Sequence, residues 1–233
     1  MAKVLLVAAI GRGHALAEKF RQSGVQVHSF IPFANPGIIS ASTEHRIGNI
    51  LDPTAVADYA KVVEPDYVFI AGDAPIAAGA ADAVQNEGFD VVAPIKSVAR
   101  LESDKAFARE FMKEFVPEGC PRFEVFHDAK AAQDFIDSVP YEFVIKPMGL
   151  TGGKGVKVLG SQLRDRAEAK AYAASAIEAD TVGGIVIEEK LVGEEFSLMC
   201  FVDGESVAPM PLCQDHKPAF ENDTGPMTGG MGA

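Results

Sequence analysis

Residues 3–10 (KVLLVAAI) form a nearly continuous apolar run, the pattern of a strand buried on both faces. A Gly-Arg-Gly turn follows. Helical spacing then returns from about 14 to 22, through Ala15, Leu16, Lys19 and Phe20, and Gly24 stops it. Residues 25–30 read as a second strand. Asp52-Pro53 is an N-cap with proline at the first helical position and opens a helix through Val63. Strand 66–71, an alanine-rich helix 75–87 closed by Gly88, and a strand at 91–93 complete the alternation. Strands alternating with helices imply an α/β fold with a parallel sheet and right-handed crossovers.

The pattern changes near residue 100. Ser103 is expected to cap a helix to about 115, and 117–121 is a proline-rich break. Strand 123–126, helix 128–137 with Asp128 as cap, strand 142–146, a glycine loop, strand 156–159 and helix 165–178 follow. Strands then dominate at 185–189, 195–202 and 205–210, with Asp203-Gly204 as a hairpin turn between the last two.

Composition narrows the class. The chain has 233 residues, 48% apolar and 23% charged, which is globular rather than disordered. No apolar run reaches the roughly 18 residues of a membrane span, and the run at the start is too short for a leader peptide. Three cysteines without metal-ligand spacing, Cys120, Cys200 and Cys213, point to reduced thiols and a cytoplasmic location. With 21 basic against 33 acidic residues the net charge is −12, which disfavours nucleic acid as a partner. A few lysines gathered in a cleft can still bind phosphate.

Four segments carry candidate chemistry. The first is the loop Gly11-Arg12-Gly13-His14, placed between a strand and a helix, where free N–H groups attract an anion. It is a poor dinucleotide fingerprint: Leu16 stands where the third glycine belongs, and no acidic residue occurs from 25 to 43 to hold a ribose. The second is Lys146-Pro-Met-Gly149-Leu-Thr-Gly152-Gly153-Lys154-Gly155. A P-loop would open a helix and place Ser or Thr after the lysine; here both flanks are strand-like and Gly155 follows Lys154. The segment therefore reads as a flap whose N–H groups close over phosphates, with a lysine on either side. The third is Glu188-Glu-Lys190-Leu191 with Glu194-Glu195, a strand-to-strand hinge beside carboxylates. The fourth is Gln214-Asp215-His216-Lys217 with the glycine-rich stretch 223–232. Taken singly, the four also read as a tight turn, a flexible hairpin, a charged surface turn and a tail.

Together and in this order they resemble the glycinamide ribonucleotide synthetase (phosphoribosylamine–glycine ligase) family of ATP-grasp enzymes. The carrying strings are GRGHALA (11–17), GDAPIAAGAADAV (72–84), ARLESDKAFAREFM (99–112), VIKPMGLTGGKGVKV (144–158), VIEEKLVGEEFSLMCFVDGE (186–205) and QDHKPAFENDTGPMTGGMGA (214–233). The last is the most specific; the flap string alone indicates only ATP-grasp.

The resemblance implies a Rossmann-like N-terminal domain over 1–101, a linking helix and loop over 102–121, an ATP-grasp flap subdomain over 122–191 and the start of a catalytic subdomain over 192–233. It implies ligation of glycine to 5-phosphoribosylamine at the expense of ATP, through an acyl phosphate, in purine biosynthesis. Lys105, Lys146 and the flap residues Gly152, Gly153, Lys154 and Gly155 would meet ATP phosphates. Glu188, Lys190 and Leu191 would form the adenine hinge, the last two through backbone groups, and Glu195 would hold the ribose. Gly11, Arg12, Asp73 and Pro75 would contact phosphoribosylamine. Asp215, Lys217, Asp223 and Thr228, Gly229 and Gly230 would lie around glycine and the amine.

The first loop departs from the family's GSGGREH: Ala8 and Ile10 replace glycines and Gly13 replaces glutamate. Gly72-Asp73 stands for the family's Pro-Glu, and Met227 for its asparagine. The family's enzyme is nearly twice as long. Mg²⁺ (or Mn²⁺) ligands are therefore expected beyond Ala233, and a missing C-terminal half is the expected macromolecular partner. The 233-residue chain alone is expected to lack ligase activity. Rival readings are a non-catalytic nucleotide-binding module and another ATP-grasp carboxylate–amine ligase.

Overall fold

The computed structural model describes residues 1–149, 155–179, 183–222, 224–228 and 230–232. The chain divides into two compact units, Met1–Ser103 and Asp104–Ala233.

The first unit runs β1 (Lys3–Val7), α1 (Gly11–Gln22), β2 (Gln26–Ile31), α2 (Pro36–Ala41), β3 (Glu44–Ile47), α3 (Pro53–Val63), β4 (Tyr67–Ile70), α4 (Asp73–Ala78), α5 (Ala80–Asn86), β5 (Val91–Val92) and α6 (Lys96–Ser103). Its sheet is parallel, in the order β3-β2-β1-β4-β5. The apolar run of β1 alternates between two cores. Val4, Leu6 and Ala8 pack with Ala17 of α1 and with Ile38 and Ala41 of α2. Leu5 and Val7 pack with Val56 and Ala60 of α3 and with Ala81 and Val84 of α5. Each large side chain so buried contributes about 1.5–3 kcal/mol. A central strand between two helical layers must be apolar on both faces, which is the reason for the unbroken run.

Several boundaries differ from the sequence reading. Helix α1 starts at Gly11, not near 14, so the Gly-Arg-Gly segment is its first turn. The helix expected over 75–87 is two, α4 and α5, because Gly79 takes φ +101°, which ends one helix and starts the next. Helix α2, capped by the Asn35 side chain, and the edge strand β3 (EHRI, exposed throughout) carry no apolar periodicity and went unread. Ser103 is no cap; it ends the unforeseen α6.

In the second unit Asp104 caps α7 (Lys105–Phe115), accepting from the Phe107 N–H. A 3₁₀ turn at Pro117–Gly119 leads to β6 (Phe123–Phe126), α8 (Ala129–Ser138), β7 (Phe143–Pro147), β8 (Lys157–Val158), α9 (Arg166–Ala179) and β9 (Ile185–Glu189). Among the described residues these strands form an antiparallel sheet in the order β6-β9-β7-β8. Phe143, Ile145, Ile185 and Ile187 point to one face and pack with Ala132 and Ile136 of α8 and with Ala169 and Ala173 of α9. By the two-residue period Val144, Lys146, Val186 and Glu188 share the opposite face.

The rest of the unit is built from short pairs: β10 (Cys200–Val202) with β11 (Val207–Pro209), and β12 (Pro218–Phe220) with β13 (Thr224–Met227). The strands expected over 195–202 and 205–210 shrink to three residues each, plus a single bridge between Ser197 and Cys213. Phe196, Leu198, Phe201 and Val207 are all exposed, so no buried face extends the pairing. The Asp203-Gly204 turn is present, with the Asp203 carboxylate accepting the Ser206 N–H at 2.9 Å.

Candidate functional site

In the first unit the strand order reverses between β1 and β4, the switch point where open parallel sheets bind ligands beyond the carboxyl ends of their strands. The turns after those two strands carry the predicted residues. Gly11 opens α1, and a side chain there would meet no atom within 4 Å. Arg12 of α1 and Asp73 of α4 approach to 3.8 Å, both largely exposed. Pro75 is the buried residue of α4. The Asn35 amide donates to the Ala9 carbonyl at 3.1 Å and its Oδ1 caps α2, so the β1–α1 turn is tied to the next loop. Gly11, Arg12, Asp73 and Pro75 thus stand on neighbouring turns, as chain topology alone would require; Asn35 was not foreseen.

In the second unit the candidate phosphate residues gather around the polar face of the sheet. Lys105, the first residue of α7, donates from Nζ to the Gly149 carbonyl. Lys146 of β7 pairs through Nζ with Glu188 Oε1 of β9. The register sets Glu188 opposite Val144 and Lys146 opposite Val186, so the two are diagonal neighbours. Arg109, one helical turn after Lys105, grips the same carboxylate: Nε to Oε2 at 2.6 Å and Nη2 to Oε1 at 3.2 Å. Glu188 is only 6% exposed. Burial pushes its pKa up, but the hydrogen bond from Arg109 and the charge of Lys146 outweigh this and hold it below the ordinary range.

The Glu188 carboxylate, expected at an adenine hinge, is engaged by two cations in this structure. Sequence reasoning missed Arg109; its i, i+4 spacing from Lys105 was the available signal.

The hinge continues into Lys190, whose own N–H donates to the Glu142 carbonyl at 2.9 Å and whose Nζ pairs with the Glu142 carboxylate at 2.7 Å. The Lys190 N–H is thus already engaged within the chain. Leu191 is exposed. Gly155 is fixed from below: Tyr172 of α9 donates its hydroxyl to the Gly155 carbonyl at 2.6 Å, and Lys157 lies 4.0 Å over the Tyr172 ring. Gly152, Gly153 and Lys154 lie outside the described residues.

A second cluster forms near the end of the chain. Lys217 Nζ donates to Glu195 Oε1 at 2.6 Å and lies 3.7 Å from Asp215 Oδ2. The hydrogen bond to Glu195 raises the Lys217 pKa, against a smaller opposing effect of burial, so the ammonium stays charged. Thr228 donates its N–H and hydroxyl to the Lys217 carbonyl, and Gly230 donates its N–H to Thr228 Oγ1. A Cβ on Gly230 would stand 3.1 Å from Asp215 Oδ1, and its φ is +125°. Five predicted residues, Glu195, Asp215, Lys217, Thr228 and Gly230, are thereby assembled; Asp223 and Gly229 lie outside the described residues. Glu195, expected at a ribose, has its carboxylate on Lys217 instead. No group of three or more His, Cys, Asp or Glu side chains among the described residues could hold a metal ion. The cluster's carboxylates Glu195 and Asp215 are engaged by an ammonium, so this donor set does not fit Mg²⁺.

A parallel-sheet unit followed by an antiparallel sheet with Lys146 on its polar face is an ATP-grasp type of fold. Structures of N5-carboxyaminoimidazole synthetase from Staphylococcus aureus and L-amino acid ligase from Bacillus licheniformis share the fold, with TM-scores of 0.67 and 0.68 at 14% and 16% identity. Residues 2–102 match the phosphoribosylglycinamide synthetase N domain and residues 103–233 its ATP-grasp (A) domain. The chain belongs to the phosphoribosylglycinamide synthetase family. It is 46% identical to a phosphoribosylamine–glycine ligase of Methanosarcina barkeri and 43% to one of Pyrococcus furiosus, each alignment covering 99% or more of this chain and 53% of the relative. The crystal structure of the ligase from Thermotoga maritima superposes with a TM-score of 0.76 at 30% identity, covering 99% of this chain and 54% of that one. The chain spans about half the length of the curated relatives it matches.

Proposed function

We propose that this chain supplies the nucleotide-binding and part of the substrate-binding machinery of an ATP-dependent ligase that joins glycine to 5-phosphoribosylamine in purine biosynthesis. The observation that carries the reading is the match of both units, in order and end to end, to the N and A domains of that family.

The chemistry follows from what a carboxylate lacks. It is a poor electrophile until phosphorylated, so the glycine carboxylate attacks the γ-phosphorus of ATP and ADP leaves. The amine of phosphoribosylamine then attacks the acyl carbon, loses a proton, and expels phosphate. Catalysis of such transfers is mostly positioning and charge neutralisation. Lys105 and Lys146 are assigned to the phosphates, and residues 152–155 to the cover that excludes water from the labile acyl phosphate. Glu188, Lys190 and Leu191 are assigned to the adenine side, the last two through backbone groups. With the Glu188 carboxylate and the Lys190 N–H engaged within the chain, the assignment to adenine falls on the other backbone groups of 190 and 191. Glu195 is assigned to the ribose once Lys217 releases it. Gly11, Arg12, Asp73 and Pro75 are assigned to phosphoribosylamine, the guanidinium suiting its phosphate and the carboxylate its hydroxyls. Asp215, Lys217, Asp223 and 228–230 are assigned to glycine and the attacking amine. The described residues do not fit Mg²⁺ or Mn²⁺; the ion is assigned to the part of the relatives' length that this chain does not span. A cytoplasmic location is in keeping with three free cysteines.

The test measures ADP release by the polypeptide extended to the length of its relatives. ADP should appear only with glycine, and glycinamide ribonucleotide should accumulate one for one once phosphoribosylamine is added. ADP release that ignores glycine and follows another carboxylate would replace this substrate assignment.

A further inference from the structure

Glu188 is a buried carboxylate with two cations and a divided task. The fork of Arg109 occupies both oxygens, Oε2 through Nε and Oε1 through Nη2, and the Arg109 Nη1 lies 3.3 Å from Met112 Sδ, which fixes the plane of the guanidinium. Lys146 shares Oε1. The described charges at this point are two positive and one negative, a surplus of one cation. A bidentate guanidinium satisfies a carboxylate by itself; an ammonium added at the edge is the member that can leave. Stripping a buried carboxylate of every partner is strongly unfavourable. Lys146 is therefore free to turn toward an incoming anion only while Arg109 remains on Glu188.

We propose that Arg109 is a positioning residue for nucleotide binding: by holding Glu188 alone, it releases the Lys146 ammonium to the phosphates. The inference rests on the assignment of Lys146 to the phosphates of ATP. Arg109 itself is turned to Glu188 and not to the nucleotide. It acts through a carboxylate 79 positions away in sequence.

The experiment is a double-mutant cycle read by ATP calorimetry on the 233-residue chain, with a thermal melt of each variant. Arg109→Met should weaken ATP binding by about tenfold or more, the scale at which losing one partner of a buried charge pair is felt. Arg109→Lys should restore most of it. In a Glu188→Gln background, where no carboxylate captures Lys146, Arg109→Met should change ATP affinity less than about twofold. An equal loss in both backgrounds overturns the proposal, since Arg109 would then meet the nucleotide or merely hold the fold. Unchanged affinity in Arg109→Met also overturns it. Lys146→Ala separates the premise: if it leaves ATP affinity intact, the phosphate assignment of Lys146 fails, whereas a loss there with none in Arg109→Met removes only the positioning role.

Discussion

Gly13 and Ala8 cannot both carry larger side chains. A Cβ on Gly13 would stand 2.4 Å from the Cβ of Ala8, and 3.3 Å from Ile38 Cδ1. The first loop departs from the family's GSGGREH at both ends of this contact, alanine for glycine at 8 and glycine for glutamate at 13. The contact ties the two positions together: the space between α1 and the end of β1 is filled by the Ala8 methyl and leaves none for a side chain at 13.

Gly13→Ala should therefore destabilise the protein although alanine favours helices. The gain in propensity is about 1 kcal/mol, whereas forcing a methyl into a packed contact costs about 1–3 kcal/mol. Adding Ala8→Gly should recover most of the loss. Chemical denaturation of the two single variants and the double variant checks this, and a Gly13→Ala midpoint at or above that of the parent would contradict it.

Tyr172→Phe removes the hydroxyl that holds the Gly155 carbonyl at 2.6 Å. The cost expected is about 0.5–1.5 kcal/mol in stability, the net worth of one such bond. Because Gly155 ends the glycine loop, its amide should also exchange hydrogen faster in the variant. Hydrogen exchange by NMR measures this directly; unaltered protection at Gly155 would show that the hydroxyl anchors nothing.

The cations on Glu188 make stability depend on acid. Its folded pKa lies below the ordinary glutamate value, since Arg109 and Lys146 outweigh burial. The stabilisation is fully present above the unfolded pKa of about 4.3 and is lost as pH falls through the lower folded value. Denaturation midpoints taken downward from pH ~6 should fall less steeply for Glu188→Gln than for the parent. Parallel slopes would mean that Glu188 contributes nothing to acid sensitivity.

His28 works at milder pH. Its side chain is 12% exposed, and Nδ1 lies 3.5 Å from Glu44 Oε2. Burial lowers its pKa; Glu44 raises it by less, and Lys3 adds a small lowering. A depressed histidine favours the neutral form, so the unfolded chain binds more protons and stability rises with pH. The contribution is present above the unfolded pKa of about 6.5 and is lost as pH falls below it. His28→Gln should flatten the stability profile between pH ~7 and ~5, which urea titration at each pH would detect.

Much of the fold was legible in the chain. The both-faced strand at 3–7, the Asp52-Pro53 helix start and the strand at 185–189 follow from apolar runs and caps that act within a few residues. Edge strand β3 was not legible, because it is exposed on both faces and bears no alternation. Gly79 did not announce its break, because a glycine inside an alanine-rich helix is tolerated until its φ turns positive. Of the candidate site, Lys146 and the glycine loop stood out in the sequence as candidates for phosphate, and Lys105 only through the resemblance, whereas Arg109 looked like one more charge on an amphipathic helix.

The alternation of apolar strands with helices, the glycine-rich loops and the family itself are determined by the sequence alone, since they depend on local spacing and on strings. Which charges meet was decided only by the tertiary structure. Strand register sets Lys146 diagonal to Glu188, and α7 lays Arg109 on the same carboxylate from 79 positions away. The cost of burying that carboxylate, more than any local preference, makes the three residues one unit.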